Sequence, residues 1–248
     1  MIFTVTGQTP LTDTVYRLEL AGGTAAITQR LKDPARRREL AERIQKGRYF
    51  DNIAGIVGWD NILCSTLSQP ENRPFQGMSV ADIAREQGKD PFTCVCDLLV
   101  SEACAITMID FITDEADIEK ILRLPYSAVI SDSTYPTAGK RHPRVYGTFA
   151  RILERYVRER KVLTLPEAVA SMTAIHAAAL GLRGKGRLAA GMDADIAVFD
   201  PTAVHEAGTY ANPHQSAQGM DWVLVGGVPT IADGALTGAK PGRVIRRG

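Results

Sequence analysis

The sequence predicts an α/β fold, with strands and helices alternating over residues 1–185 and a small all-β unit over residues 186–248. Three observations carry this prediction. Short β-branched apolar runs recur between helix-start signals. The helix starts are chemically explicit: Asp33-Pro34, Ser79, Asp90-Pro91 and the capping box Thr164-x-x-Glu167. After Gly186 only short β-like runs remain, and Gly226-Gly227 between two of them is a hairpin signal.

The elements follow in order. Ile2 to Thr6, ending at Gly7, reads as a strand. Asp33 as N-cap and Pro34 at the first helical position open a helix whose charges, among them Arg36, Arg37, Glu39, Glu42 and Arg43, are interleaved as on a solvated face. Ile53 to Gly58 is a second strand, and residues 59–78 are loop-like. Helices start at Ser79 and at Asp90-Pro91. Ile106 to Phe111 is a third strand, Asp114 to Leu122 a short helix, and Tyr126 to Ser131 a fourth strand ending at Asp132. Residues 133–147 form a polar loop. From Thr148 to about Arg160, Phe149, Ile152, Leu153, Tyr156 and Val157 share one helical face. The helix opened by Thr164 runs to Gly181. Ala194–Phe199, Trp222–Val225 and Val228–Ile231 are the strands of the final unit.

Alternation of this kind implies a parallel sheet with helices packed outside it. Only four strands are visible before residue 185, whereas a closed eight-stranded barrel typically needs about 250 residues. The first unit is therefore either an open sheet or part of a barrel completed by something else. Three short strands in the second unit also need something to pack on.

Composition narrows the functional classes. At 45% hydrophobic and 23% charged residues, the chain is an ordinary folded protein. A net charge of +1 argues for neither nucleic acid nor an anionic membrane. No apolar run approaches the roughly 20 residues of a membrane span, and the amino terminus does not read as a signal peptide, so a cytoplasmic location is expected. Cys64, Cys94, Cys96 and Cys104 show no paired spacing and read as buried reduced thiols.

Several strings, in order, resemble the carboxy-terminal region of N-acyl-D-amino-acid deacylases of the amidohydrolase superfamily. They are SD at 131–132, HPRVYGTFARILERYVRE at 142–159, LTLPEAVASMT at 163–173, GKGRLAAGMDADIAVFDP at 184–201 and GVPTIADGALTGAKPGRVI at 227–245, with GGTAAITQRLKDP at 22–34. The HPR-x-x-GTF string is specific to the deacylase branch. The ADI-x-V-FDP string is common to many amidohydrolases. The resemblance implies the carboxy-terminal half of a (β/α)8 TIM-type barrel over 1–185 and a portion of a small β-sandwich over 186–248. It implies zinc in the complete enzyme, with the family's ligands lying upstream of Met1; His142, His176, His205 and His214 have no ligand-like spacing that would replace them. An amino-terminal half, or self-association, is then the expected partner beside a small N-acyl-amino-acid substrate.

Asp132, at the carboxy end of an expected strand, is either a residue capping the next turn or a catalytic carboxylate. The resemblance makes it the general acid/base that takes a proton from the attacking water and passes it to the leaving nitrogen. Arg144 and His142 are the substrate-binding candidates. A guanidinium can hold the free α-carboxylate by two parallel hydrogen bonds, and His142 would structure the same loop. Relatives carry a tyrosine- and serine-bearing motif, roughly YPY-x-AGST, where this chain reads Ile2 to Thr9. Thr4 and Gln8 therefore stand in place of substrate-contacting residues. His176 stands near a position that is usually proline and reads as a packed histidine. Gly184, Gly186 and Gly191 do not follow a strand and open a helix, so they read as turns rather than a phosphate loop. The expected activity is hydrolysis of the linear amide of N-acyl-D-amino acids to a D-amino acid and a carboxylate, by this chain once an amino-terminal half completes it. The rivals are a cyclic-amide hydrolase of the hydantoinase or dihydroorotase kind and a non-catalytic subunit or inactive fragment.

Overall fold

The computed structural model describes residues 7–10, 22–46, 52–133 and 139–245. The strand expected at Ile2–Thr6 lies outside them. Strand β1 is Gly7–Pro10. Helices α1 (Gly23–Leu31) and α2 (Pro34–Lys46) follow, and the Ala35 N–H donates to the Asp33 carboxylate at 2.8 Å as the Asp-Pro start requires. Helices α4 (Val80–Gln87), α5 (Pro91–Ser101) and α6 (Glu115–Leu122) start where Ser79, Asp90 and Asp114 cap them.

Several expectations are corrected. Ile53–Val57 is a helix, α3, not a strand: the Asn52 side chain accepts from the Gly55 N–H at 2.9 Å, and that local cap overrides the β-branched run. The expected loop at 59–78 holds strand β2 (Ile62–Cys64), which pairs with β3 (Thr107–Asp110). Residues 126–131 form no strand. Val129 instead donates its N–H to Ser171 O at 3.0 Å, and its carbonyl meets His176 Nε2 at 2.6 Å. The amphipathic helix begins at Arg144 rather than Thr148. It runs as α7 (Arg144–Arg151) and continues as a π-helix over Ile152–Glu159. The helix from Thr164 is broken at Thr173 (φ −134°, ψ −77°) into α8 (Leu165–Met172) and α9 (Ala174–Leu180). Its capping box and its left-handed stop at Gly181 are as expected.

The first sheet runs β1–β3–β2 and both of its ladders are antiparallel, Gly7 opposite Asp110 and Ile62 opposite Asp110. The parallel sheet inferred from alternation is thus overturned among the described residues. With 53–57 helical and 126–131 outside any ladder, the strand–helix–strand crossovers that force parallel neighbours are missing among the described residues. A second antiparallel sheet runs β4 (Ile196–Phe199), β5 (Met220–Val225), β6 (Val228–Ala232), β7 (Ala235–Leu236). Gly226 and Gly227, at φ 57° and 81°, make the β5–β6 hairpin turn, where both central residues need positive φ.

Two cores hold these elements. The first gathers Leu31, Leu40, Ile62, Ile83, Leu99 and Met108 with buried Cys64, Cys94 and Cys96. All four cysteines are free and buried, as expected, and burial pushes the Cys64 thiol up to about 12. The second gathers Ile118, Leu122, Val129, Ile152, Leu153 and Val204, with Phe199 and Met220 packed against it, so α6, the π-helix and the second sheet share one apolar interior. No helix among the described residues is long and apolar enough to cross a membrane.

Candidate active site

The amino-terminal end of α7 organises the candidate site. His142 is buried, and its Nδ1 accepts the Arg144 N–H at 3.0 Å. This bond satisfies a donor of the first helical turn that Pro143, without a side-chain donor or acceptor, leaves open. Accepting at Nδ1 requires a neutral ring. Burial, with the nearby Arg144 and Arg151 guanidiniums, lowers the imidazole to about 3. Thr148 reaches back one turn and donates its hydroxyl to Arg144 O at 2.8 Å.

Arg144 is only 6% exposed at its side chain, and its Nη1 lies 3.4 Å from Asp132 Oδ2. Burial pulls this guanidinium below its ordinary value, and the neighbouring Asp132, Asp110 and Tyr210 act in the opposite direction. Asp132 differs from expectation in two ways. No strand delivers it, and its side chain is 61% exposed with backbone φ 47°, in the left-handed region that aspartate tolerates better than most residues. All three sequence candidates, Asp132, His142 and Arg144, nonetheless meet at one place.

Residues that sequence reasoning passed over complete it. Asp110 is buried at the carboxy end of β3, and the strand-end logic applied to Asp132 would have found it. Tyr210 packs edge-on against His142 (ring centroids 5.4 Å, planes 82° apart) and against Phe111 at 5.1 Å. Arg151 Nη1 donates to Glu206 Oε2 at 2.8 Å. Tyr210 and Glu206 come from the segment between β4 and β5, whose polar composition carried no signal. Its ends are closed by a bridge between His205 and Gln218, and Glu154 accepts from the Glu206 N–H at 2.7 Å. Tyr210, Arg151 and Glu206, with His142 and Arg144, line a cavity of about 70 Å³, well below the roughly 300 Å³ and upward of whole-ligand pockets.

The histidines are each engaged apart from one another: His142 with Arg144, His176 with Val129, His205 with Glu154 at 2.8 Å, and His214 beside the Tyr146 ring at 5.9 Å. Among the described residues no group of three or more His, Cys, Asp or Glu side chains is placed to hold a metal ion. The described residues therefore do not fit the zinc that the sequence resemblance implies.

Residues 77–231 match the model of the amidohydrolase family. The chain is 37% identical over 178 residues to a D-aminoacylase of Alcaligenes xylosoxydans xylosoxydans, an alignment covering 71% of this chain and 36% of that protein. A crystal structure of D-aminoacylase superposes with a TM-score of 0.71 at 28% identity, over 98% of this chain and 41% of that one. An N-acyl-D-glutamate deacylase from Bordetella bronchiseptica, solved with zinc and a phosphonate mimic of the tetrahedral intermediate, superposes with a TM-score of 0.63 at 34% identity, over 73% of this chain and 38% of that one. The chain thus spans little more than a third of the length of the curated relative it matches. It belongs to the amidohydrolase family, and within that family it is similar to the N-acyl-D-amino-acid deacylases.

Proposed function

We propose that the protein serves hydrolysis of the linear amide bond of N-acyl-D-amino acids, giving a carboxylate and a free D-amino acid. The observation that carries this is the buried Arg144 guanidinium facing Asp132 at 3.4 Å, in a chain 37% identical to a D-aminoacylase. The ion pair is long and its carboxylate is exposed, so it is weakly held. A substrate α-carboxylate, able to take the guanidinium by two parallel bonds, would displace it. Asp132 would then be free to take a proton from the attacking water and deliver it to the leaving nitrogen. His142 supports Arg144 by fixing the first turn of α7.

A metal would supply a water acidified toward neutrality. The described residues do not provide its ligands. The same reading assigns residues 1–185 to the carboxy-terminal part of a (β/α)8 barrel and 186–248 to part of a β-sandwich. Its support is the overlap with D-aminoacylase along nearly the whole chain. The antiparallel β1–β3–β2 ladder does not contribute to it.

The test is release of D-amino acid from an N-acetyl-D-amino acid by the protein reassembled with an amino-terminal half that supplies the metal ligands, with a hydantoin as the competing cyclic amide. The linear amide is expected to be the one cleaved, and Asp132→Asn to lose at least about a hundredfold in kcat. Normal turnover by that variant, or preference for the hydantoin, would overturn the proposal.

A further inference from the structure

Another cavity, of about 310 Å³, lies where the segment after α9 meets residues 243–245. It shares no residue with the cavity at α7 and falls at the small end of the roughly 300–1,000 Å³ range of small-molecule sites. Arg183, Lys185 and Asp193 line it from one segment, and Arg243, Val244 and Ile245 from the other. The first segment is tightly built. Asp193 N–H donates to Gly184 O at 2.8 Å, and Lys185 is held by Asp193 at 3.0 Å and by Asp195, whose carboxylate also accepts the Gly226 N–H at 2.8 Å. The second segment meets it through Arg243, which reaches Asp193 at 3.2 Å while remaining 75% exposed. Charge does not balance in this space. Among the described residues three cations line it with one carboxylate, Asp193, which is shared between Lys185 and Arg243. The exposed Arg183 side chain has no hydrogen-bond or ion-pair partner among the described residues. Beside these cations Val244 and Ile245 are 82% and 51% exposed.

We infer that this cavity binds a small organic anion, with an oxyanion head between the Arg183 and Arg243 guanidiniums and a short apolar chain against Leu182, Val244 and Ile245. Each guanidinium presents a planar fork of donors that matches two oxygens of a carboxylate or a phosphate. The Arg243–Asp193 pair is exposed and so contributes little, and Arg243 exchanges it for the ligand while Asp193 keeps Lys185. The exposed apolar side chains give the uncharged part of the ligand a surface that water does not favour. A ligand seated there ties residues 243–245 to the segment after α9. The inference stands apart from the proposed hydrolysis and uses none of its residues.

The test is calorimetric titration of the whole chain with butyl phosphate and with butyrate at fixed ionic strength, with 1-butanol as the uncharged control. At least one anion is expected to saturate the protein at low-millimolar concentration and butanol to give no binding; the tighter of the two anions identifies the head. Arg183→Gln should weaken that anion by roughly threefold or more. Lys240→Gln removes the same charge from an exposed residue that does not line the cavity, and should leave binding unchanged. Asp193→Asn removes the competing carboxylate and should tighten the anion, a change that a folding defect cannot imitate. No binding of either anion, an equal loss in the Lys240 and Arg183 variants, or unchanged or weaker binding by the Asp193 variant would overturn the inference.

Discussion

Replacing Glu102 with alanine should cost about 3–5 kcal/mol of stability and loosen the approach to the candidate site. Glu102 is 2% exposed at the end of α5, and its carboxylate accepts the Ser68 N–H (2.8 Å), the Ser68 hydroxyl (2.6 Å), the Gln69 N–H (3.0 Å) and the Asn72 amide (2.8 Å). Alanine leaves three N–H groups without this acceptor, each costing roughly 1–3 kcal/mol less whatever water recovers in the space created. Against a typical total of roughly 5–15 kcal/mol, that is a large fraction. The loop so tied bears on the site: Lys140 N–H donates to Ser65 O at 2.7 Å, and Gly139 (φ 90°), three residues before the HPR segment, sits so close that a Cβ would meet Ser65 O at 2.7 Å. Burial raises the Glu102 carboxyl, but the bonds from Ser68, Asn72 and Gln69 outweigh it and hold it below the usual range. The stabilisation is therefore present above the unfolded value near 4.3 and is lost as pH falls through the lower folded value. Urea denaturation followed by circular dichroism, at pH 7 and at roughly pH 3, reads both effects. A loss under about 1 kcal/mol at pH 7, or a gap between parent and variant that fails to narrow in acid, would refute the reasoning.

Two further outcomes follow from the site. With the His142 imidazole lowered to about 3 against an unfolded value near 6.5, the unfolded chain binds the extra proton between those limits. His142 therefore makes stability fall as pH drops from about 6.5 toward 3, by at most about 1.4 kcal/mol per unit. His142→Asn, whose side-chain oxygen can still accept from Arg144 N–H, should flatten that slope in urea titrations, and parallel curves for parent and variant would refute it. Gly147→Ala should force the Glu206 side chain aside and break its bond to Arg151, lowering stability by roughly 1–2 kcal/mol. An unchanged melting temperature would show that Glu206 is not held there.

Helix starts were legible because a cap is a local event. Asp33, Ser79, Asp90, Asp114 and Thr164 each bond a backbone N–H within three residues, so the spacing alone defines the contact. The Gly226-Gly227 hairpin was legible for the same reason. Strands were not, because a strand exists only through a partner distant in sequence. Ile53–Val57 and residues 126–131 have strand-like composition, yet one was taken by the Asn52 cap and the other by side contacts to Ser171 and His176. The direction of β1–β3–β2 was likewise a matter of which distant residues meet.

The candidate site divides along the same line. The sequence by itself determined that His142, Pro143 and Arg144 are neighbours in one segment, and its motifs pointed to an amidohydrolase; that this segment opens a helix was decided by the fold. Only the tertiary structure decided that Asp132 reaches Arg144, that Asp110 acts on the same guanidinium, and that Glu206 and Tyr210, more than fifty residues further along the chain, close the cavity over Arg144 and Arg151. Charge and ring contacts depend on distance in space, and chain spacing encodes that distance only within a turn or two of one element.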